Sequence, residues 1–285
     1  MTTFEDNKNK PKILVIGENQ VVDHFHQYLI STAHHVVQCN VSTFNSIKEK
    51  FDLISIFLDD SSVAKKDFVK DVVNAVAKDT LVTVNLESLT LLEIQNHSES
   101  SVMGMNVSFP VQASPFMEII RTCNNSPKQI DTLCRIGQDC WAMDPYVCEN
   151  ISVRAYLLAA MTREALSLVD NGYADIESID RACRNDAGYY LPFAGNFLYM
   201  DLMGTMAYAL VMKDLNPELT KDAQLPDWLL EKVSAGHQGM ESNKGFYNYK
   251  EGDFEAWTTI IQEFSNDIRK VINKYKKDYP EKIGP

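Results

Sequence analysis

The sequence predicts an α/β protein, a mostly parallel sheet covered by helices and followed by an all-helical domain, on three observations. Short β-branched runs alternate with helical patterns through the first half. Near Cys148 the strand patterns stop and apolar residues begin to recur about every 3.6 positions. A length of 285 residues suits two packed domains.

Strands are expected over 12–16, 35–39, 52–57, 81–84 and 102–107, each a short apolar run of the kind a sheet buried on both faces requires. Helices are expected between them at 20–30, 63–76 and 88–94, with another where Ser126 serves as N-cap and Pro127 takes the first helical position. The sheet is expected to end near Cys140-Trp141-Ala142-Met143, which sets domain limits of 11–143 and 144–285. Beyond it, helices are expected over 151–170, 176–184, 197–212 and 228–234, and a last one after Gly252. That last helix carries Phe254, Trp257, Ile261, Phe264, Ile268, Val271 and Tyr275 at alternating steps of three and four, a stripe that needs a partner surface in its own domain or in a second chain.

Composition narrows the function. Lys and Arg number 27 against 39 Asp and Glu, a net charge of −12 with no basic half, which speaks against nucleic acid as a partner. No run approaches the ~18 apolar residues of a membrane-spanning helix, and 1–12 is polar, so the chain reads as a cytoplasmic protein away from the membrane. The six cysteines form no Cys-x-x-Cys pair and the six histidines stand at no ligand spacing, so reduced thiols and no metal are expected.

The first strand runs into Gly17-Glu18-Asn19-Gln20-Val21-Val22. A strand, a glycine turn and a helix open a dinucleotide-binding fold, whose complete site reads Gly-x-Gly-x-x-Gly. Gly17 keeps the tight turn. Asn19 stands where the second glycine lets backbone approach a pyrophosphate, and Val22 where the third lets helix and strand close up. Glu18 and Asp23 add negative charge at a helix N-terminus, where a pyrophosphate would gain from the dipole. Asn40, at the end of the second strand, replaces the acidic residue that accepts from the ribose hydroxyl. Two readings stay open: a working NAD site, or a Rossmann-shaped domain whose crevice has lost its ligand.

Three pieces of the second half carry a resemblance. Asn171-Gly172-Tyr173-Ala174-Asp175-Ile176-Glu177-Ser178-Ile179-Asp180, then Gly195-Asn196-Phe197 with Asp201-Leu202-Met203-Gly204, then Ala235-Gly236-His237-Gln238-Gly239 with Asn243-Lys244-Gly245-Phe246-Tyr247-Asn248-Tyr249, resemble in order and spacing the C-terminal domain of the 3-hydroxyacyl-CoA dehydrogenase family. The resemblance implies a Rossmann-like, mostly parallel sheet domain followed by an all-α dimerisation domain. With that anchor, 51–54 through Asp60 and Lys65-Lys66 is similar to the family's strand followed by an acidic residue and a lysine near the nicotinamide. Residues 79–89 resemble its Ser-Asn-Thr-Ser-Ser-Leu segment, keeping Asn85, Ser88 and Leu89 but carrying Val84 and Glu87. Only about eight residues separate Thr43 from the next strand, where the family has a further strand and a helical hairpin, so this domain is truncated.

The family's reaction moves hydride from carbon 3 of an L-3-hydroxyacyl-CoA to NAD while a histidine takes the hydroxyl proton and a glutamate orients it. The family's Gly-Met-His-Phe-Phe-Asn-Pro reads here Gly104-Met105-Asn106-Val107-Ser108-Phe109-Pro110, and twelve residues after Asn106 stands Glu118. A carboxamide cannot take and return a proton near neutral pH. Asn150 matches the asparagine that holds the substrate oxygen, and serves equally as a helix cap. For Glu118 the alternative is a strand-end carboxylate facing solvent, and for Lys65 a solvated helix charge. The resemblance therefore implies either an NAD-dependent oxidoreductase of fatty-acid metabolism with a substituted base, or a non-catalytic relative that binds acyl-CoA or regulates as a homodimer; an unrelated Rossmann reductase is the third reading.

Overall fold

The computed structural model describes residues 10–59 and 62–275 and divides into a unit ending at Leu157 and a second beginning at Leu158. In chain order the first unit holds β1 Ile13–Ile16, α1 Gln20–Ser31, β2 Val36–Cys39, β3 Leu53–Ile56, α2 Ser62–Ala75, β4 Leu81–Val84, α3 Leu91–Ser98, β5 Met103–Val107, β6 Phe116–Arg121, α4 Pro127–Arg135 and β7 Asp144–Glu149. The strands form one sheet in the order β2-β1-β3-β4-β5-β6-β7, parallel except where β6 runs antiparallel to β5. Between β2 and β3 lies only the 3₁₀ turn Phe44–Ser46, in agreement with the truncation read from the sequence.

Alternate residues of β1 join different cores: Ile13 and Val15 pack with Phe25, Leu29 and Trp141, while Leu14 and Ile16 pack with Val69, Val72 and Ile94. That is the alternation a sheet covered on both faces demands. Gly104 is fixed by packing, because a Cβ there would lie 2.7 Å from Ile120 Cβ on β6 and 2.8 Å from Leu86 Cδ1.

The sheet does not end where the sequence suggested. Cys140 closes a π-type turn over Ile136–Cys140 and Trp141 is wholly buried outside any strand, whereas β7 runs from Asp144 and pairs with β6 along its whole length. The strand limit at 143 therefore moves to Glu149. The reason is visible in β7: its sequence, DPYVCE, opens with an acid and a proline and is largely exposed, as an edge strand tolerates.

The second unit consists of the remainder of α5 Val153–Asp170 with α6 Ile176–Ala182, α7 Gly188–Ala194, α8 Phe197–Met203, α9 Thr205–Leu215, α10 Asp227–Ser234 and α11 Asp253–Tyr275. No strand occurs in it among the described residues. The expected helix at 197–212 is broken at Gly204, whose φ of +104 separates α8 from α9. Among its described residues Ala194 alone is buried. Phe197 is 79% exposed, Met206 72% and Phe264 62%, so much of the α11 stripe and of the α8–α9 faces is uncovered among the described residues of this unit.

Candidate functional site

Register across three strands builds the centre of the site. Asn106 on β5 stands opposite Glu118 on β6, and Glu118 stands opposite Tyr146 on β7. Asn106 and Glu118 are buried, at 2% and 0% exposure. The Asn106 carboxamide grips the backbone of Leu86, its Oδ1 accepting from Leu86 N–H at 2.9 Å and its Nδ2 donating to Leu86 C=O at 2.7 Å. Nδ2 also donates to Glu118 Oε2 at 2.9 Å and lies 3.2 Å from Ser152 Oγ.

Glu118 accepts four hydrogen bonds. Asn106 Nδ2 and Ser152 Oγ, the latter at 2.6 Å, reach Oε2; Tyr146 Oη at 2.7 Å and the Arg154 backbone N–H at 3.1 Å reach Oε1. A carboxylate offers about four lone-pair positions, so none is left for another donor. Two of these donors belong to the start of α5, whose first turn Ser152 caps by accepting from Ala155 N–H at 3.0 Å. The carboxylate thus lies against a helix N-terminus, where negative charge is favoured. Burial, together with Glu118 beside it, raises the Tyr146 phenol above its ordinary range, and the same causes push the Cys148 thiol up to about 11.

Glu118 is therefore no solvent-facing strand end. Asn150 is held at a φ of +62 and works as a cap, but on a helix distant in sequence: its Oδ1 accepts from Leu92 N–H at 2.9 Å and its C=O from Leu91 N–H at 2.8 Å, closing the start of α3. Arg154 pairs with Glu87 at 3.2 Å and lies 5.9 Å from the Phe116 ring.

The dinucleotide-type residues gather beyond the C-terminal ends of β1, β2 and β3, the switch point of the sheet. A crevice of about 390 Å³ is lined there by Gly17, Glu18, Asn19, Asn40–Ser42 and Phe57–Asp59. Gly17 is required by packing, since a Cβ would meet Phe57 C=O at 2.3 Å and Val22 Cγ2 at 3.0 Å. Val22 is wholly buried, and its N–H donates to Asn19 Oδ1 at 3.0 Å, so the helix caps itself where an anion would dock. Asn40 donates from Nδ2 to Glu18 Oε1, while its Oδ1 accepts from Ser42 Oγ and from Thr43 N–H and Oγ1. Lys65 is 1% exposed, not solvated: its Nζ donates to Leu58 C=O and Asn85 Oδ1, both at 2.9 Å, and Asn85 Oδ1 also accepts from Leu58 N–H. Asp60 lies outside the described residues.

A model of the 3-hydroxyacyl-CoA dehydrogenase C-terminal domain matches residues 153–249. Those residues therefore match the C-terminal domain of the 3-hydroxyacyl-CoA dehydrogenases. The chain is 26% identical over 214 residues to a 3-hydroxybutyryl-CoA dehydrogenase of Clostridioides difficile, covering 74% of this chain and 75% of that protein. It is 25% identical over 202 residues to 5-formyl-3-hydroxy-2-methylpyridine 4-carboxylate 5-dehydrogenase of Mesorhizobium japonicum, covering 70% of this chain and 65% of that relative, just under two thirds of its length. A crystal structure of a dehydrogenase of that name, described as an NAD+-dependent dismutase, shares the fold at a TM-score of 0.83 and 20% identity, over 93% of this chain and 99% of the other.

Within the family's frame, sequence reasoning found the Asn106–Glu118 pair and missed Tyr146 and Ser152, which hold the glutamate in place. Tyr146 was hidden by the domain limit at 143. Ser152 had a readable signal, a serine directly before the helical run that starts at Val153.

Proposed function

We propose that this family member has given up hydride transfer and acts as a homodimeric acyl-CoA-binding or regulatory protein. The observation that carries the reading is the closed ledger of hydrogen bonds at Asn106 and Glu118: both hydrogens of the carboxamide and all four acceptor positions of the carboxylate are spent inside the fold. A general base must sit within hydrogen-bond reach of the proton it takes and must titrate near the working pH; Asn106 does not titrate, and Glu118 has no free position. Loss of a placed general base lowers the rate by about 10²–10⁴.

The cofactor crevice supports the same reading. A pyrophosphate needs free N–H donors at the α1 N-terminus, and the Val22 N–H is already taken by Asn19 while Glu18 brings negative charge to the turn. Asn40, in the ribose position, spends its donor on Glu18 and its acceptor on Ser42 and Thr43. These residues do not fit NAD, so no chemical step is assigned to it. The acyl-CoA class of ligand rests on the family match over 153–249. The second copy of the chain rests on the exposed apolar faces of α8, α9 and α11, which are wider than a solvent-facing helix carries. No helix among the described residues is long and apolar enough to cross a membrane.

The test is calorimetric titration with NADH, NADPH and acetoacetyl-CoA, followed by an NADH-oxidation assay with acetoacetyl-CoA. The expected result is binding of the thioester without NADH binding or turnover. Turnover that Glu118→Gln abolishes would overturn the proposal.

A further inference from the structure

We infer that His34 is a pH-sensitive latch, whose protonation opens the seam between residues 10–12 and the turn over 136–142 and so loosens the start of β7. The inference goes beyond the reading above and does not rest on it. His34 follows α1 and is 7% exposed. Its Nδ1 lies 3.4 Å from Pro11 C=O, beyond the usual range of a hydrogen bond, and its Nε2 has no partner. Its ring meets the wholly buried Trp141 edge to face, with centroids 6.4 Å apart. Left-handed backbone flanks both rings. Ala33, just before His34, has a φ of +60, and Ala142, just after Trp141, a φ of +47, conformations an alanine holds only where its surroundings impose them.

A phenylalanine would make the same ring contact without burying an unpaired nitrogen, so packing alone does not call for histidine. What the imidazole adds is a titration. With Nδ1–H directed at Pro11, the second proton goes to Nε2. The titratable groups around the ring are Lys10, whose ammonium donates to Thr32 C=O; Cys140 and Asp139 of the π-type turn; and Tyr28 on α1, whose hydroxyl donates to Trp141 C=O. The neighbouring His35 pairs at the surface with Glu49, which also holds Lys12. Among the described residues the charge acting on the ring is the Lys10 ammonium, which repels a second cation. Burial and that charge outweigh the Pro11 and Cys140 carbonyls and hold His34 below its ordinary value of 6.5. The closed form therefore keeps this stability in full above pH 6.5 and loses it as pH falls, because the open form binds the proton more tightly. Opening reaches Tyr146, and with it the Glu118 carboxylate, along the chain: Met143 N–H on Gly137 C=O and Asp144 N–H on Pro115 C=O join the turn to β7.

The experiment measures amide exchange of the full chain at pH 7.5 and 5.5, corrected for the intrinsic exchange rate. A histidine that takes a proton near 6.5 only in the open form raises opening by at most about tenfold over that range. Exchange over 136–146 is expected to rise several-fold toward that limit while the amides of β3 stay unchanged. His34→Phe should abolish the rise, and Lys10→Met should reduce it, since the closed form then bears the charge better. An equal rise in His34→Phe, a rise shared by β3, or no rise in the wild type would each overturn the inference. Ring-proton NMR of the wild type needs no variant: His34 titrating below 6.5 in the folded chain supports the latch, and titration at or above that value overturns it.

Discussion

Asn106→Ala tests whether the site is a structural lock. The substitution leaves the Leu86 N–H and C=O without their partner in a wholly buried place and takes one donor from Glu118. A buried group left unpaired costs about 1–3 kcal/mol, and a hydrogen bond to a charged group about 1.5–3; the low ends of the three losses together come to about 3.5 kcal/mol. Urea denaturation should show this as a lower midpoint at unchanged slope. Amide exchange localises it, with the Leu86 N–H exchanging about tenfold faster or more in the variant while amides of α1 are unchanged. A residue kept for chemistry behaves in the opposite way, since active-site positions commonly gain stability or stay neutral when replaced. A loss below about 1 kcal/mol would refute the lock. Asn106→His, which the family resemblance alone would offer as a repair of the base, should be destabilising and without turnover: an imidazole cannot accept from Leu86 N–H and donate to Leu86 C=O side by side as a carboxamide does.

Other outcomes follow from the same geometry. Asn150→Ala should cost about 2 kcal/mol in thermal unfolding, through a lost cap on α3 and a strained left-handed φ, while Asn150→Gly removes the strain and recovers part of it. Lys65→Met should cost about 2–4 kcal/mol in urea, since Leu58 C=O loses its buried donor. Cys148, with its thiol pushed up to about 11, should resist iodoacetamide at pH 8, where exposed Cys123 is labelled; because the unfolded thiol ionises first, near its ordinary value of 9.0, this group's contribution to stability is whole below that pH and falls as pH climbs toward 11, a decline that Cys148→Ala should flatten. Light scattering at micromolar concentration should give twice the chain mass; a monomer there would count against the second copy.

How legible the site was depended on which residues speak through local pattern. The strands β1 to β5 were readable because each is a short, mostly apolar run rich in β-branched or other strand-forming residues, as a sheet covered on both faces requires. β6 and β7 were not: Phe116–Arg121 places a glutamate mid-strand, and Asp144–Glu149 is an exposed edge with a proline, so neither has a strand's usual profile. The pairing of Asn106 with Glu118 was legible only through the family resemblance, which sets a glutamate twelve residues after the position Asn106 occupies; the antiparallel register of β5 and β6 that brings the two together was not. That the pair is saturated was unreadable, since it depends on Leu86, Tyr146 and Ser152 arriving from three other segments. The self-capping of Asn19 could have been read, as asparagine three residues before Val22 is an ordinary N-cap; the dinucleotide template drew attention to the missing glycine instead.

The saturated glutamate bears on how this site can change by substitution. Four donors converge on Glu118 from β5, β7 and the start of α5, so one carboxylate ties three segments together. A histidine placed at 106 removes the clamp on Leu86, so that single substitution passes through a less stable protein. Neighbours that share a network do not revert one at a time. The network works as a ratchet in sequence space: another arrangement at 106 and 118 is reached by several coordinated substitutions rather than by one.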